Sequence, residues 1–267
     1  MTAIRPAATV VLARPAPGGA EVFLLRRSRA VGFMPNAWVF PGGRVDAADA
    51  DFATAGGEAV ASRLGVPPEM ARAWLVAAVR EVFEESGLWL GSGRPTAGDR
   101  ARVLGGAPLA EVARDAGLVA DLDRLAPWSW WITPAVEPRR YDTRFFLARA
   151  PEGEASPDEG ETVEARWVRP ADAVIAAEAG DLPMAPPTWW TLRELADAGD
   201  LEDWFVAERA ILPIEPIGHV TETGFELWLP GHPEHPTPGI PGLPPRVVFA
   251  QGRWWAGDRA SPPKLNG

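Results

Sequence analysis

The stretch REVFEESG, residues 80–87, places Arg80, Glu81, Glu84 and Glu85 within six positions of a chain whose formal net charge is already -10. On a helix, residues three and four apart are neighbours, so Glu84 and Glu85 project from the same side as Glu81. Like charges at those spacings destabilise a helix unless something neutralises them. Two readings follow. In one, the carboxylates form a solvated acidic face. In the other, they hold a hard divalent cation, Mg2+ or Mn2+, which takes carboxylate oxygens in octahedral geometry and is the usual partner of substrate phosphates. The neighbourhood favours the cation: Arg80 can pair with one carboxylate, Gly87 ends the helix, and a Pro41-Gly42-Gly43 turn stands upstream at the end of a strand.

The elements that must position these groups are legible in outline. ATVVLAR (8–14) and AEVFLLRRS (20–28) are rich in β-branched and aliphatic residues around a Pro-Gly-Gly turn, which reads as a strand pair. NAWVF (36–40) reads as a short strand stopped by the Pro-Gly-Gly. Residues 44–68 read as loop with one short helix. A helix follows over 68–86, with proline in its first turn, Gly87 as its C-terminal cap and an apolar face of Trp74, Leu75, Ala78 and Val82. Residues 100–125 read as one or two amphipathic helices. WSWWITP (128–134), TRFFLARA (143–150) and VEARWVR (163–169) read as strands. Helices are expected after Pro170 and over 187–208, with strands at FELWL and RVVFA. Strands alternating with helices indicate an α/β or α+β domain.

Composition narrows the chemistry. The 267 residues are 46% hydrophobic and 23% charged, a soluble globular balance. A chain this acidic is a poor partner for nucleic acid or an anionic membrane. There is no cysteine, so disulfides, thiol nucleophiles and thiolate metal sites are excluded. The three histidines, His219, His232 and His235, all come late, so a metal site near residue 81 must be built from oxygens. No run has the length of a membrane span and MTAIRPAATV lacks the apolar region of a secretory signal, so a cytoplasmic setting is the expectation.

FPGGRVDAAD (40–49) followed by REVFEESGL (80–88) resembles the box of the Nudix hydrolases. Gly43, Arg80, Glu81, Val82, Glu84, Glu85, Gly87 and Leu88 match its pattern. Asp49 stands where the pattern has its first glutamate, and thirty residues separate Asp49 from Arg80 where the pattern has seven. The expanded box, GFMPNAWVFPGGRVDAAD, and WITPAVEPRRYDTRFFLA (131–148) resemble the peroxisomal coenzyme A diphosphatase-like branch of that family. The resemblance covers roughly residues 5–175.

That resemblance implies an α/β/α sandwich around a mixed sheet. The Nudix domain would span 1–180, with insertions at about 50–70 and 91–127 near the cleft mouth. A helical and Pro-rich extension, 181–267, would pack on the same domain. The implied activity is metal-dependent hydrolysis of the pyrophosphate bond of a nucleoside diphosphate-X. The favoured substrate is coenzyme A or acyl-CoA, cut to 3',5'-ADP and (acyl-)4'-phosphopantetheine. Glu84 and Glu85 would be Mg2+ or Mn2+ ligands, and Glu81 a further ligand or the general base. The carbonyl of Gly42 or Gly43 would complete the shell. Arg80 would orient the glutamates, with the acid at position 49 as its partner. A later acid would join the site: PDEGETVEARW (157–167) offers Asp158, Glu159, Glu161 and Glu164, of which Glu161 or Glu164 is favoured. Substrate-binding candidates are Phe40, Gly42 and a set of arginines: Arg27, Arg29, Arg140 and Arg144, with Arg26 and Arg139 beside them. Asn36 stands where the coenzyme A motif of related enzymes has a glycine, and asparagine tolerates the left-handed conformation. Trp38, Trp130 and Trp131 are candidates to stack on adenine. PPTWWTLRELA (186–196) reads as cleft wall or as a homodimer contact. Two alternatives remain: the same reaction on NADH, ADP-ribose, a nucleotide sugar or a dinucleoside polyphosphate, or a non-catalytic nucleotide-sensing module.

Overall fold

The structure, a computed structural model, describes residues 3–30, 34–52, 54–206, 209–221, 224–250 and 252–256. Its centre is a mixed sheet of eight strands among the described residues. Four come early: β1 (Ile4–Ala16), β2 (Gly19–Arg27), β3 (Trp38–Val39) and β4 (Gly42–Arg44). The short strands β5 (Thr54–Ala55), β6 (Gly91–Ser92) and β7 (Val119–Asp121) form a small separate sheet. The central sheet resumes with β8 (Ala126–Ile132), β9 (Arg140–Arg149), β10 (Thr162–Val168) and β11 (Pro213–Ile214). Its order is β10-β2-β1-β9-β8-β11, with β3 on β2 and β4 on β1. β1 runs parallel to β9 and antiparallel to β2 and β4. A third sheet, β12 (Ile217–Thr221), β13 (Gly224–Trp228), β14 (Arg246–Ala250) and β15 (Arg253–Ala256), is an antiparallel meander late in the chain.

Both faces of the central sheet are covered, which is why β1 reads as a nearly continuous apolar run. Ala8, Val10 and Leu12 point into one core, whereas Val11 and Ala13 point into another. The first core is dominated by α2 (Pro68–Ser86), flanked by α1 (Glu58–Leu64), α3 (Ala97–Leu104) and α4 (Leu109–Ala116). The second holds residues of α5 (Pro170–Ala179), α6 (Pro186–Asp197), α7 (Leu201–Val206) and the late meander.

Several expectations are corrected here. The Pro-Gly-Gly segment does not merely stop a strand. Gly42–Arg44 is itself a strand, in register with β1 at Thr9↔Gly42 and Ala8↔Gly43. The single helix expected over 187–208 is two. Gly199 adopts φ 87, and the Asp200 carboxylate accepts from the amides of Glu202 and Asp203 at 2.9 and 3.2 Å, which starts a new helix. The last two residues of that span, 207–208, lie outside the described residues. α2 is buried nearly all round rather than along one stripe, because α1, α3 and α4 cover the sides the sheet leaves open. No helix among the described residues is long and apolar enough to cross a membrane.

Candidate active site

The last turns of α2 carry the acidic cluster. Proline in the first turn and Gly87 in the left-handed conformation, φ 76, define the helix ends. Gly87 donates its N–H to the carbonyl of Phe83. Glu81 and Glu85 are buried and Glu84 is partly buried.

Arg80 ties this turn to the loop before it. Its Nε and Nη2 donate to the two oxygens of Asp49, at 2.9 and 3.1 Å, and Nη2 also reaches the carbonyl of Arg44 at 2.7 Å. Its Nη1 donates to Glu81 at 2.7 Å and to Glu84 at 3.3 Å. Asp49, shorter than glutamate by one methylene, thus makes the bidentate pair in which a planar guanidinium grips a carboxylate best. The pair forms although α1 and the first turns of α2 lie between the two residues in sequence.

Gly42 and Gly43 are there for space. Neither has positive φ. A Cβ on Gly43 would lie 2.3 Å from Glu81 Oε1, and one on Gly42 would lie 2.5 Å from the carbonyl of Ala8. The bare backbone lets β4 lie against the carboxylates, and Gly42 N–H donates to Glu85 Oε2 at 2.8 Å.

These groups line one cleft of about 690 Å³. Its charged lining is six acids, Asp46, Glu81, Glu84, Glu85, Asp158 and Glu161, against three arginines, Arg27, Arg44 and Arg80. Burial pushes the carboxyls of Glu81, Glu84 and Glu85 toward their neutral form. Glu81 is pushed up to about 7, chiefly by burial, with Arg80 opposing. Glu85 is raised well above the usual range by burial and then by the Glu81 charge, while Gly42 N–H and the Arg27 charge pull the other way. Glu84 is raised by burial too. Burial alone would lower Arg80, but the bond to Asp49 and the charges of Glu81, Asp49 and Glu84 outweigh it and hold it firmly protonated.

The donor chemistry fits a hard divalent cation: oxygens only, in one cleft, with too little positive charge to match them. Arg80 holds one oxygen each of Glu81 and Glu84, and Gly42 holds one of Glu85, so each carboxylate keeps a second oxygen for a ligand. As placed, no three His, Asp or Glu side chains among the described residues close around a single point. Arg80 Nη1 holds Glu81 and Glu84 between them, so taking up a cation requires these side chains to turn.

The other candidates divide. Gly42, Gly43 and Arg27 line the cleft, and Phe40 lines its apolar continuation. Of the two later acids, Glu161 lines the cleft, but Glu164 points into an ion-pair chain with Arg26 and Arg166, each at 2.9 Å. Arg29 is exposed and outside the lining. Arg140 bonds to the carbonyl of Thr133 at 3.0 Å and to Glu215, away from the cleft. Arg144 is only 2% exposed, sandwiched between the rings of Trp74 and Trp130. Its place is a cation–π stack inside the fold and not a phosphate contact. Trp130 is committed to that stack, and Trp38 is buried in the second core under Arg166. Trp131 lines the apolar continuation. Trp189 and Trp190 are buried in the chain's own core, which removes them as homodimer contacts; Pro186, Pro187 and Thr188 line the apolar continuation instead. The insertion at 91–127 does reach the cleft, through Val103 and Leu104. Arg100 also donates to the carbonyl of Glu84 at 2.7 and 2.9 Å. None of the described residues of 50–70 lines the cleft.

The motif names neither Thr9, Tyr141 nor Thr143, and Asp158 ranks behind Glu161 and Glu164 among the later acids, yet all four line the cleft. The strand alternation held a signal for two of them. Phe145 and Leu147 face one core and Phe146 and Ala148 the other, so Tyr141 and Thr143 share the first face and Arg140 and Arg144 the second. Asp158 also organises its loop, accepting from the amides of Glu161 and Thr162 at 3.0 and 2.8 Å and from the Thr162 hydroxyl. Burial would raise its carboxyl, but these bonds hold it below the usual range. Asn36 adopts φ 66, the left-handed conformation that its place in the motif requires.

Comparison with known proteins supplies the context. The family profile of the NUDT19 Nudix domain matches residues 55–195. Acyl-coenzyme A diphosphatase NUDT19 of Gallus gallus is 32% identical over 306 aligned positions, covering 87% of this chain and 80% of that protein. The Homo sapiens protein of the same name is 32% identical, covering 85% and 76%. Among solved structures, a NUDIX hydrolase from Alicyclobacillus acidocaldarius superposes with a TM-score of 0.69 at 29% identity, over 79% of this chain and 99% of that one.

Proposed function

The chain belongs to the NUDT19 Nudix domain family, and from that premise we propose that it is a divalent-metal-dependent diphosphatase acting on coenzyme A or its thioesters. The observation that carries this reading is the acidic cleft itself. A substrate cut at a pyrophosphate brings more negative charge to a wall of six acids and three arginines. Such a wall repels that substrate unless cations stand between them. A binding module would have no need of three mutually repelling carboxylates, two of them buried and one partly so.

In this reading Glu84 and Glu85 hold Mg2+ or Mn2+, with Glu81 as a further ligand or as the acceptor of the proton from the attacking water. The bound metal supplies charge neutralisation at the phosphate oxygens and a more acidic water. Arg80 keeps Glu81 and Glu84 oriented by pairing with Asp49 on its other edge. Gly42 N–H fixes the Glu85 carboxylate, and Gly43 provides the room in which Glu81 turns. Asp158 shapes the loop that presents Glu161. Arg27 offers positive charge beside Glu85. Water oxygen adds to one phosphorus, the bridging P–O bond breaks, and the products are 3',5'-ADP and 4'-phosphopantetheine, acylated or free. A cytoplasmic setting fits a chain with no cysteine.

The test is hydrolysis of coenzyme A and acyl-CoA beside ADP-ribose, NADH, a nucleotide sugar and dinucleoside polyphosphates, with Mg2+ or Mn2+ and with chelator. The expected result is metal-dependent release of 3',5'-ADP. Cleavage of another diphosphate in its place would keep the site assignment and overturn the substrate. No cleavage of any, with nucleotide still bound, would leave a sensing module.

A further inference from the structure

We propose that the apolar groove continuous with the acidic cleft receives the uncharged arm of the substrate, the pantetheine with its thioester-linked acyl chain, and that the late β12–β15 meander supplies one wall of this subsite. The inference rests on the coenzyme A reading above. The groove, about 460 Å³, shares Thr9, Arg27, Gly42, Tyr141 and Thr143 with the cleft. Beyond that shared wall its character changes. Phe40, Trp131 and Phe145 come from the central sheet and its adjoining turn, and Phe225, Leu227 and Trp254 come from the meander. Phe225 and Trp254 stand edge to face, 6.5 Å between ring centres, and both are only partly buried.

Charge decides which arm enters. A pyrophosphate bond held at Glu85 sends two arms away from it. Beyond the pyrophosphate, the nucleotide arm carries an additional phosphate and the other arm is uncharged. The charged residues lining the groove are Arg27, on the shared wall, and Glu137. An anionic nucleotide placed there would meet apolar rings and a carboxylate, and would lose hydration without compensation. An uncharged arm loses little and buries its methylenes against those rings. The volume is that of a small-molecule site, whose range is about 300–1,000 Å³. Substrate preference then depends on residues 217–256, outside the part of the chain that the family profile matches.

The experiment uses the full chain with Mn2+ and measures kcat/KM for free coenzyme A and a straight-chain acyl-CoA series, in the wild type and in Phe225→Asp. Each methylene that enters is expected to raise kcat/KM about 3- to 4-fold until the groove is full, and Phe225→Asp to flatten that series. A second measurement, product inhibition of the wild type, stands if Phe225→Asp loses its cooperative melt. Octanoyl-phosphopantetheine is expected to inhibit at least about tenfold more tightly than phosphopantetheine. Turnover of coenzyme A with no chain-length dependence and equal inhibition by the two products overturns this inference and leaves the substrate reading standing. Weakened inhibition by 3',5'-ADP in Phe225→Asp, with the acyl product unaffected, places the base in the groove and overturns it as well. If no coenzyme A species is cut, the substrate reading fails and this subsite falls with it.

Discussion

The acidic cleft and the apolar groove share one wall and differ in almost everything else. The cleft is lined by side chains whose burial is unfavourable as they stand: three carboxyls pushed toward neutrality around one guanidinium. The groove is lined mainly by rings, aliphatic side chains and prolines, with Arg27 and Glu137 as its charged residues. Unfavourable burial persists only where something repays it, and in the function proposed above a divalent cation does so when bound. On that proposal the cleft is where bonds are broken, and the groove is where the substrate is told apart from its analogues.

The largest effect should come from the cleft's most buried carboxyl. Glu85→Gln keeps the shape and the Gly42 contact but removes the charge, and kcat should fall by about 10³-fold with little change in melting temperature. Next is the pair that holds the cluster. Asp49→Ala leaves the Arg80 guanidinium buried without its bidentate partner, and unfolding titrations should show a loss of about 3–5 kcal/mol. Asp49→Glu, the residue of the family pattern, should retain most of that stability. Gly43→Ala introduces a methyl into the space of Glu81 Oε1 and should lower kcat more than it lowers stability.

A pH series separates the two regions further. In the metal-free protein the folded-state affinity of Glu81 and Glu85 for protons exceeds that of the unfolded chain. Native molecules therefore bind more protons, and stability falls as pH rises from the ordinary glutamate range through about 7. Added Mn2+ should consequently raise the melting temperature more at pH 8 than at pH 5.5. Phe225→Asp, in the groove, should leave that difference intact. The smallest effect belongs to the arginines outside the cleft. Arg144→Met should cost about 2 kcal/mol of stability through the lost stack between Trp74 and Trp130 and leave turnover per folded molecule near wild type.

The same contrast explains what could be read in advance. The carboxylate cluster is local: Glu81, Glu84 and Glu85 lie within one and a half turns, so helix period alone groups them. Asp49 and Gly43 were readable because they sit at fixed places in a motif. The arginines are candidates by charge alone, and charge says nothing about direction. Strand parity sends Arg144 into the α2 side and Tyr141 and Thr143 toward the cleft, a distinction that becomes visible only once Phe145 and Phe146 are assigned to opposite cores. Glu164 was lost to Arg26 on the neighbouring strand, a pairing set by register between β10 and β2 rather than by sequence proximity. The groove was beyond reach because it joins Phe40, Trp131 and Trp254, segments brought together only by packing. At α6, the tryptophan pair signalled importance without saying that the importance was burial.

The measurement that tests the central claim most directly is Mn2+ binding to the metal-free chain, followed by electron paramagnetic resonance, in the wild type and in Glu85→Gln, beside release of 3',5'-ADP from coenzyme A by the same samples. The account predicts saturable Mn2+ binding by the wild type, binding at least about tenfold weaker in Glu85→Gln, and product release that tracks occupancy. Wild-type affinity for Mn2+ in Glu85→Gln, or release of 3',5'-ADP by the wild type in excess chelator, would contradict it.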